Sequence, residues 1–277
     1  MAASRLGVQI GVVGANPLYL QTPAMFKRNV FGHSLFLRKL VIRLFGSLVY
    51  TRFNIIHRNE VRGAERLTQL PDKNVLIVSN HQTYFADVSF FYLAIYAALA
   101  GFPNQMRFPG FLFPRKTNLF YVAAEETMKD GFIPRLLALT GAVTVNRSWR
   151  AKGENVRRKV DREEVKNIDK ALECGWVITF PQGTTTPYAP GRFGTAVLIK
   201  QHRPVVVPVV IDGFRRAFDK KGLAIKKPKS VLRMTVKAPL QIDYDGKVED
   251  IMLQLMNAIE QSPEFDTIDQ KKKQEAV

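Results

Sequence analysis

The chain has little cysteine and no long uncharged apolar run, and each absence excludes a class of protein. Its single cysteine, Cys174, excludes an internal disulfide and fits a reducing, cytosol-facing location. One cysteine and four histidines without paired ligand spacing form no zinc signature, so we predict no metal site. No segment reaches the roughly 18 uncharged apolar residues expected of a confident membrane span.

Acidic residues are also scarce relative to basic ones. Among 277 residues, 41 are lysine or arginine and 24 are aspartate or glutamate, which gives a net charge of +17. Such an excess indicates a negatively charged partner, namely a nucleic acid, an anionic lipid or a phosphorylated substrate. The basic residues are scattered and form no stripe interleaved with aromatics, so we expect no nucleic-acid partner.

Alternating apolar patterns predict an α/β domain over residues 58–262, with a mixed sheet flanked by helices. Strand patterns fall at 75–78, 119–123, 142–145, 177–180, 205–211 and 231–236. Helical patterns fall at about 86–101, 132–140, 157–173, 194–201 and 248–261. Outside this domain we predict a poorly ordered extension over 1–24 and a charged tail over 263–277.

Residues 25–57 form a segment whose basic and leucine-rich sides separate at helical spacing. The basic side contains Arg28, Arg38, Lys39 and Arg43, and the apolar side contains Val30, Leu37, Leu40, Leu44 and Leu48. One interpretation is an amphipathic helix lying in a membrane interface. The other is a helix packed on its own domain with a solvated basic side. The net charge favours the membrane, and we expect a peripheral or monotopic protein on its cytoplasmic face.

A histidine and a carboxylate lie close together in residues 79–87. His81 follows a predicted buried strand, and Asp87 falls in the first turn of the following helical pattern. A carboxylate so placed can hold an imidazole in one tautomer and leave its other nitrogen as a general base. Such a pair needs no enzyme nucleophile, because the substrate's own hydroxyl or amine would attack. The alternative is an ordinary surface pair.

Three further clusters could bind substrate. In residues 140–147, Arg147 follows the end of a predicted strand and could form two parallel hydrogen bonds to a phosphate or carboxylate. In residues 176–187 a strand runs into a Thr-rich turn, and the glycine-rich start of the next helix could bind an anion. Pro208 interrupts a buried strand, which predicts a sheet edge or a special bend near a site. Arg147 alone is also typical of an ordinary surface residue, and residues 176–187 alone are typical of a Thr-rich surface turn.

In this order and spacing, the four clusters resemble the motifs of the glycerolipid acyltransferase superfamily, typified by 1-acylglycerol-3-phosphate acyltransferases. The resemblance covers roughly residues 58–240. It implies that His81 is the general base and that Asp87 orients it. It also implies a set of substrate-binding residues: Asn80, Thr83, Arg147, Gln182, Gly183, Thr184, Arg192 and Pro208.

Three departures from the family pattern affect the prediction. Five residues separate His81 from Asp87, where the family has four, so a bulge in the first helical turn absorbs the extra residue or the pair is loosened. Gln182 stands where the family has glutamate, and Thr185 where it has arginine. Either Arg192 replaces that lost charge or the acceptor lacks a phosphate.

The resemblance implies an acyltransferase that moves a fatty acyl chain from acyl-CoA or acyl carrier protein to a lysolipid hydroxyl. Backbone amides near Gly183 and Thr184 would donate hydrogen bonds to the oxyanion of the tetrahedral intermediate. We expect no cofactor, and we expect membrane lipids and the thioester donor, including an acyl carrier protein, as partners. Two alternatives remain open: a non-phosphate or amino-lipid acceptor, and a catalytically silent lipid-binding relative.

Overall fold

The computed structural model describes residues 27–114, 116, 118–129, 131–145, 150–151, 154–155 and 162–266. The predicted extension 1–24, residues 267–277 of the predicted tail, and Arg147 lie outside the described residues. The strands, in chain order, are β1 Arg58–Arg62, β2 Val75–Ser79, β3 Leu119–Ala124, β4 Ala142–Val145, β5 Arg150–Ala151, β6 Glu154–Asn155, β7 Trp176–Thr179, β8 Val205–Asp212 and β9 Val231–Val236. The α-helices are α1 Leu35–Thr51, α2 Ala86–Leu99, α3 Glu125–Lys129, α4 Phe132–Ala138, α5 Arg162–Cys174, α6 Phe193–His202, α7 Phe214–Ala217 and α8 Val248–Ala258.

Seven of these strands form one sheet in the order β1-β9-β8-β2-β7-β3-β4, while β5 and β6 form a separate pair. All neighbours in the large sheet are parallel except β8 and β9, which are antiparallel. The sheet is therefore mixed and flanked by helices, which confirms the predicted fold class. Because β8, β2, β7 and β3 run in the same direction, their carboxyl ends meet at one edge, where α/β sheets usually bind ligands.

The predicted strands agree with the observed ones to within one residue at each end. The sequence pattern missed β1, because only Val61 of that edge strand is buried and its other residues are polar or charged. At the centre of the sheet, all five residues of β2 are buried. An uninterrupted apolar run of this kind is typical of a strand covered on both faces.

Helix α2 packs inside the domain. Its residues from Phe90 to Ala98 are buried, and all but Ala97 belong to the hydrophobic core on one side of the sheet. A second core on the other side contains residues of α5, α6 and α8. Along the part of the chain that the structure describes, no helix has both the length and the hydropathy to cross a bilayer.

Helix α1 presents its leucines to solvent rather than to the domain. Leu44 is 56% and Leu48 is 68% exposed. The basic side contacts the domain instead: Arg43 Nε donates to the Leu112 carbonyl, and Arg38 is buried. The alternative interpretation, a helix packed on its own domain with a solvated basic side, therefore does not hold at Arg38, whose guanidinium bonds to the carbonyl of Leu119.

Of the two predictions for Pro208, a sheet edge or a special bend near a site, the sheet edge is wrong, since β8 lies between β2 and β9. Pro208 pairs with Val78 of β2, and its carbonyl accepts a hydrogen bond from the Lys237 amide at 2.9 Å. The ladder between β8 and β9 begins one residue later, at Val209. The missing N–H of the proline thus falls where the antiparallel ladder ends, which explains how an interior strand tolerates it.

Candidate active site

His81 and Asp87 meet at the carboxyl end of β2. His81 Nδ1 lies 2.9 Å from Asp87 Oδ2. The histidine stands in the loop between β2 and α2, while the aspartate occupies the first turn of α2. The Asp87 side chain is fully buried, and the His81 side chain is 14% exposed. A buried carboxylate on Nδ1 favours the tautomer in which Nδ1 carries the proton, and this leaves Nε2 unprotonated on the opposite side of the ring.

The Asp87 carboxylate is held by four donors. Oδ2 also accepts from the backbone amides of Gln82 at 2.6 Å and Thr83 at 3.0 Å. Oδ1 accepts from the Thr83 hydroxyl at 2.6 Å. These bonds fold residues 82–85 into a loop in front of α2. The extra residue is accommodated in this loop and not as a bulge in the helix, so the spacing of five residues still brings the pair within hydrogen-bonding distance.

The His81 ring contacts aromatic rings, a role that the sequence analysis did not predict for them. The Phe180 ring stacks on it with centroids 4.0 Å apart and an interplanar angle of 19°. The Tyr84 ring lies 6.5 Å from it. Phe180 directly follows β7 within the third cluster, and this position was the only sequence signal for it. The stacking fixes the plane of the imidazole independently of Asp87.

His81 lines a cleft that encloses about 660 Å³, part of it open to solvent. The cleft is also lined by Thr179, Phe180 and Gly183 of the third cluster and by residues of β3 and α3. A second, mainly apolar cavity of about 500 Å³ lies between α1 and α2. Tyr84, Val88 and Tyr121 line both spaces, so the two adjoin one another behind the histidine.

Two buried tyrosines on these cavities remain neutral. Burial raises the pKa of Tyr92 to about 12, and it raises the pKa of Tyr121 still further above the ordinary tyrosine range. The Tyr121 hydroxyl donates to the Leu137 carbonyl at 2.9 Å. The Tyr92 hydroxyl lies 2.9 Å from the carbonyl of Leu119. Their hydroxyl groups are thus occupied by backbone acceptors, and the rings provide apolar lining.

Three further residues for which the resemblance implies substrate binding, Asn80, Gln182 and Pro208, are buried and do not line the cleft. Asn80 is buried and braces the loop, since its side chain both donates to and accepts from the backbone of Ile211. Gln182 is buried too, but its amide donates to Ala189 and Gln261 and it does not line the cleft. Pro208 is buried within β8, below the loop.

Gly183 and Thr184 form the turn beside the cleft. Gly183 has a left-handed φ of 62°, and its amide donates to the Phe180 carbonyl at 2.9 Å. That amide is therefore already engaged and does not fit the expected role as an oxyanion donor. The Thr184 hydroxyl shares a hydrogen bond with that of Thr186. Arg192 is exposed at the start of α6, and its backbone amide donates to Pro181.

In the parts of the chain that the structure describes, no group of three or more His, Cys, Asp or Glu side chains is placed so that it could bind a metal ion. Another histidine–carboxylate pair does exist, with His202 Nε2 2.7 Å from Asp169 Oδ1. His202 precedes β8, so it lies at the edge of the sheet opposite to His81.

Comparison with known proteins connects this geometry to a family. A comparison with curated protein sequences found no significant match. Among solved structures, the chain is similar to the 1-acyl-sn-glycerophosphate (LPA) acyltransferase PlsC from Thermotoga maritima, with 19% identity, 80% of this chain and 78% of that chain covered, and a TM-score of 0.49. That likeness is too distant to support a functional assignment. A family model described as Acyltransferase matches residues 58–212, which is more than half of the chain. The chain therefore belongs to the acyltransferase family, as the resemblance of its motifs predicted.

Proposed function

We propose that this acyltransferase moves a fatty acyl chain from a thioester donor to the hydroxyl of a lysolipid, with His81 as general base and Asp87 as its orienting partner. The observation that carries the proposal is the 2.9 Å contact between His81 Nδ1 and Asp87 Oδ2 at the edge of a cleft. We propose acyl-CoA or acyl carrier protein as the thioester donor, as the resemblance of the motifs implies. The contact also argues against the catalytically silent alternative, which depended on a loosened pair.

The chemistry needs only one proton carrier. His81 Nε2 takes the proton of the acceptor hydroxyl as its oxygen attacks the thioester carbonyl, and Asp87 stabilises the imidazolium. The tetrahedral intermediate then collapses, the carbon–sulfur bond breaks, and the imidazolium returns its proton to the leaving thiolate. We propose the backbone amide of Thr184 as an oxyanion donor, because the amide of Gly183 is occupied by Phe180.

The apolar cavity between α1 and α2 supports an acyl substrate. It adjoins the cleft of His81 through Tyr84 and Tyr121, and most of its lining is hydrocarbon or aromatic. Burying a chain in such a space is favourable by about 0.8 kcal/mol for each methylene group. We propose that the acyl chain of the donor extends from His81 into this cavity.

The exposed leucines of α1 and the net charge of +17 support the proposal that the protein binds a membrane surface. An apolar helix face beside basic residues suits the interface of an anionic leaflet. We propose that the protein lies on the cytoplasmic face of a membrane and takes its acceptor from there.

The direct test measures acyl transfer by purified protein from acyl-CoA, and separately from acyl carrier protein, to a panel of lysolipids. We expect turnover by the native protein and a loss of at least about 100-fold in His81→Ala, the size usual for a general base. His202→Ala is the matched control, because it breaks a histidine–carboxylate pair at the opposite sheet edge and retains activity.

Two results would contradict the proposal. Undiminished turnover in His81→Ala would remove the histidine from the mechanism. Lysolipid binding by the native protein without turnover with either donor would favour a silent lipid-binding relative.

A further inference from the structure

A guanidinium group from a distant part of the chain reaches the main chain of the third cluster, whose sequence lacks the family's arginine. Thr185 stands where the family motif has arginine, and its main-chain carbonyl accepts a hydrogen bond from Arg215 Nη2. The backbone amide of Arg215 donates to Gln82 Oε1 at 3.2 Å, and Gln82 directly follows His81. Arg215 therefore connects the histidine loop to the Thr-rich turn.

The backbone of Arg215 is fixed by the end of β8. The chain leaves β8 at Gly213, whose φ is 91° and whose added Cβ would come within 2.1 Å of the Val231 carbonyl oxygen. Glycine is therefore required there. The next residue, Phe214, is fully buried, as is Ala217, so the short helix α7 is anchored by these two side chains. Arg215 lies on its exposed side.

Among the described residues, no acidic side chain forms an ion pair with Arg215. Its neighbour Arg216, by contrast, lies 3.7 Å from the carboxylate of Asp212. A guanidinium with one bond to a carbonyl still has several N–H donors to offer. The two adjacent arginines therefore differ in what they can bind.

Lysines reinforce the positive field around Arg215. Lys226 Nζ lies 3.4 Å from the Arg215 carbonyl. Lys220 and Lys221 are exposed, and the backbone carbonyl of Lys220 accepts from the amide of Tyr84 in the histidine loop. This basic segment begins just after residue 212, where the family match ends. The basic segment therefore contacts the histidine loop through its backbone.

We propose that Arg215 binds the phosphate of the acceptor lysolipid and replaces the arginine that Thr185 displaces. The inference rests on the proposed acyl transfer and names its acceptor as a phosphate-bearing lysolipid. A planar guanidinium pairs two N–H groups with two phosphate oxygens, which a lysine cannot do. It also assigns to Arg215 the role that the sequence offered to Arg192.

Direct binding tests the site independently of turnover. Lysophosphatidic acid and its uncharged analogue monoacylglycerol are titrated into native protein, Arg215→Gln and the control Arg216→Gln. We expect Arg215→Gln to weaken the binding of lysophosphatidic acid by about tenfold or more, as loss of a charged hydrogen bond does. Binding of monoacylglycerol, and all binding to Arg216→Gln, stays at the native level. Equal weakening for both ligands in Arg215→Gln would overturn the proposal.

Kinetics separate this inference from the proposed function. We expect Arg215→Gln to raise KM for lysophosphatidic acid with little change in kcat, and Arg215→Lys to give an intermediate KM. Thermal unfolding verifies that both variants fold, and Arg215→Lys keeps the comparison valid if Arg215→Gln does not. A native KM in both variants, or a raised KM in Arg192→Gln instead, would overturn the assignment to Arg215. Absence of turnover in native protein, with binding that still depends on Arg215, would reject acyl transfer and leave the phosphate site standing.

Discussion

At the scale of single residues, the site depends on how one buried carboxylate is held. Asp87 accepts from His81, from two backbone amides and from the hydroxyl of Thr83. The sequence alone predicted the His81–Asp87 pair, because both residues flank the end of a strand. It did not predict the role of Thr83 as a donor to the carboxylate, since a hydroxyl can take many partners.

Thr83→Val removes the hydroxyl donor and leaves one carboxylate oxygen of Asp87 buried without it. We expect kcat to fall by about tenfold, since an unsatisfied buried acceptor costs about 1–3 kcal/mol and the freed carboxylate positions His81 less well. Thr83→Ser, which keeps the hydroxyl, restores the native rate. Steady-state kinetics with one lysolipid acceptor measure both variants. Equal rates in valine and serine variants would show that the bond does not position the histidine.

His57 supplies a pH-dependent contribution to stability. It is 2% exposed, both of its ring nitrogens lack partners among the described residues, and burial lowers its pKa below 6.5, with Arg52 adding to the shift. The unfolded chain therefore binds a proton more readily, so stability is lost as pH falls below about 6.5 toward the folded pKa. We expect the thermal midpoint of His57→Phe to fall less between pH 7 and pH 5 than that of the native protein. Parallel curves would contradict this.

At the scale of elements, the strands were predictable and the contacts between elements were not. Short β-branched runs such as Val205–Asp212 specify buried strands through local pattern alone. The packing of α1 across the domain depends on small residues that show no such pattern. Gly46 is the clearest case, because a Cβ there would lie 2.2 Å from the ring of Phe111.

Gly46→Ala should narrow the apolar cavity, since both Gly46 and Phe111 line it. We expect the thermal midpoint to fall by an amount equivalent to about 1–3 kcal/mol, as overpacking usually costs. Turnover of long acyl donors should fall more than that of short ones. Gly194→Ala is the matched control, because nothing lies within 4 Å of its added Cβ and both properties should stay native. An unchanged chain-length profile in Gly46→Ala would mean that acyl chains bind elsewhere.

At the scale of the whole molecule, charge and exposed hydrophobic surface act together. Four leucines of α1 face solvent: Leu37, Leu40, Leu44 and Leu48. The sequence identified this face by its spacing, but it left open whether the leucines pack on the domain. The structure turns them outward, because the opposite side of α1 covers Phe111 and the core.

The double variant Leu44→Glu, Leu48→Glu should weaken binding to vesicles of equal parts phosphatidylcholine and phosphatidylglycerol. We expect at least a tenfold loss, since burying one leucine is worth about 1.5–3 kcal/mol. The thermal midpoint should not change, because both side chains are exposed in the protein alone. Leu253→Glu, an equally exposed leucine on α8, is the control and should bind as native. Vesicle flotation measures binding, and undiminished flotation of the double variant would exclude α1 as the contact.

The sequence by itself determined the α/β class, the positions of six strands of the large sheet and the order of the motifs, because these follow from local periodicity and spacing. Tertiary structure decided what depends on distant contacts. It brought Asp87 to His81 despite the extra residue, through a loop folded around the carboxylate. It also brought Arg215 to Thr185, thirty residues away, because β7 and β8 flank β2 and all three strands end at the same edge of the sheet. The order of the strands in the sheet brings such distant residues into contact, and no local sequence pattern specifies that order.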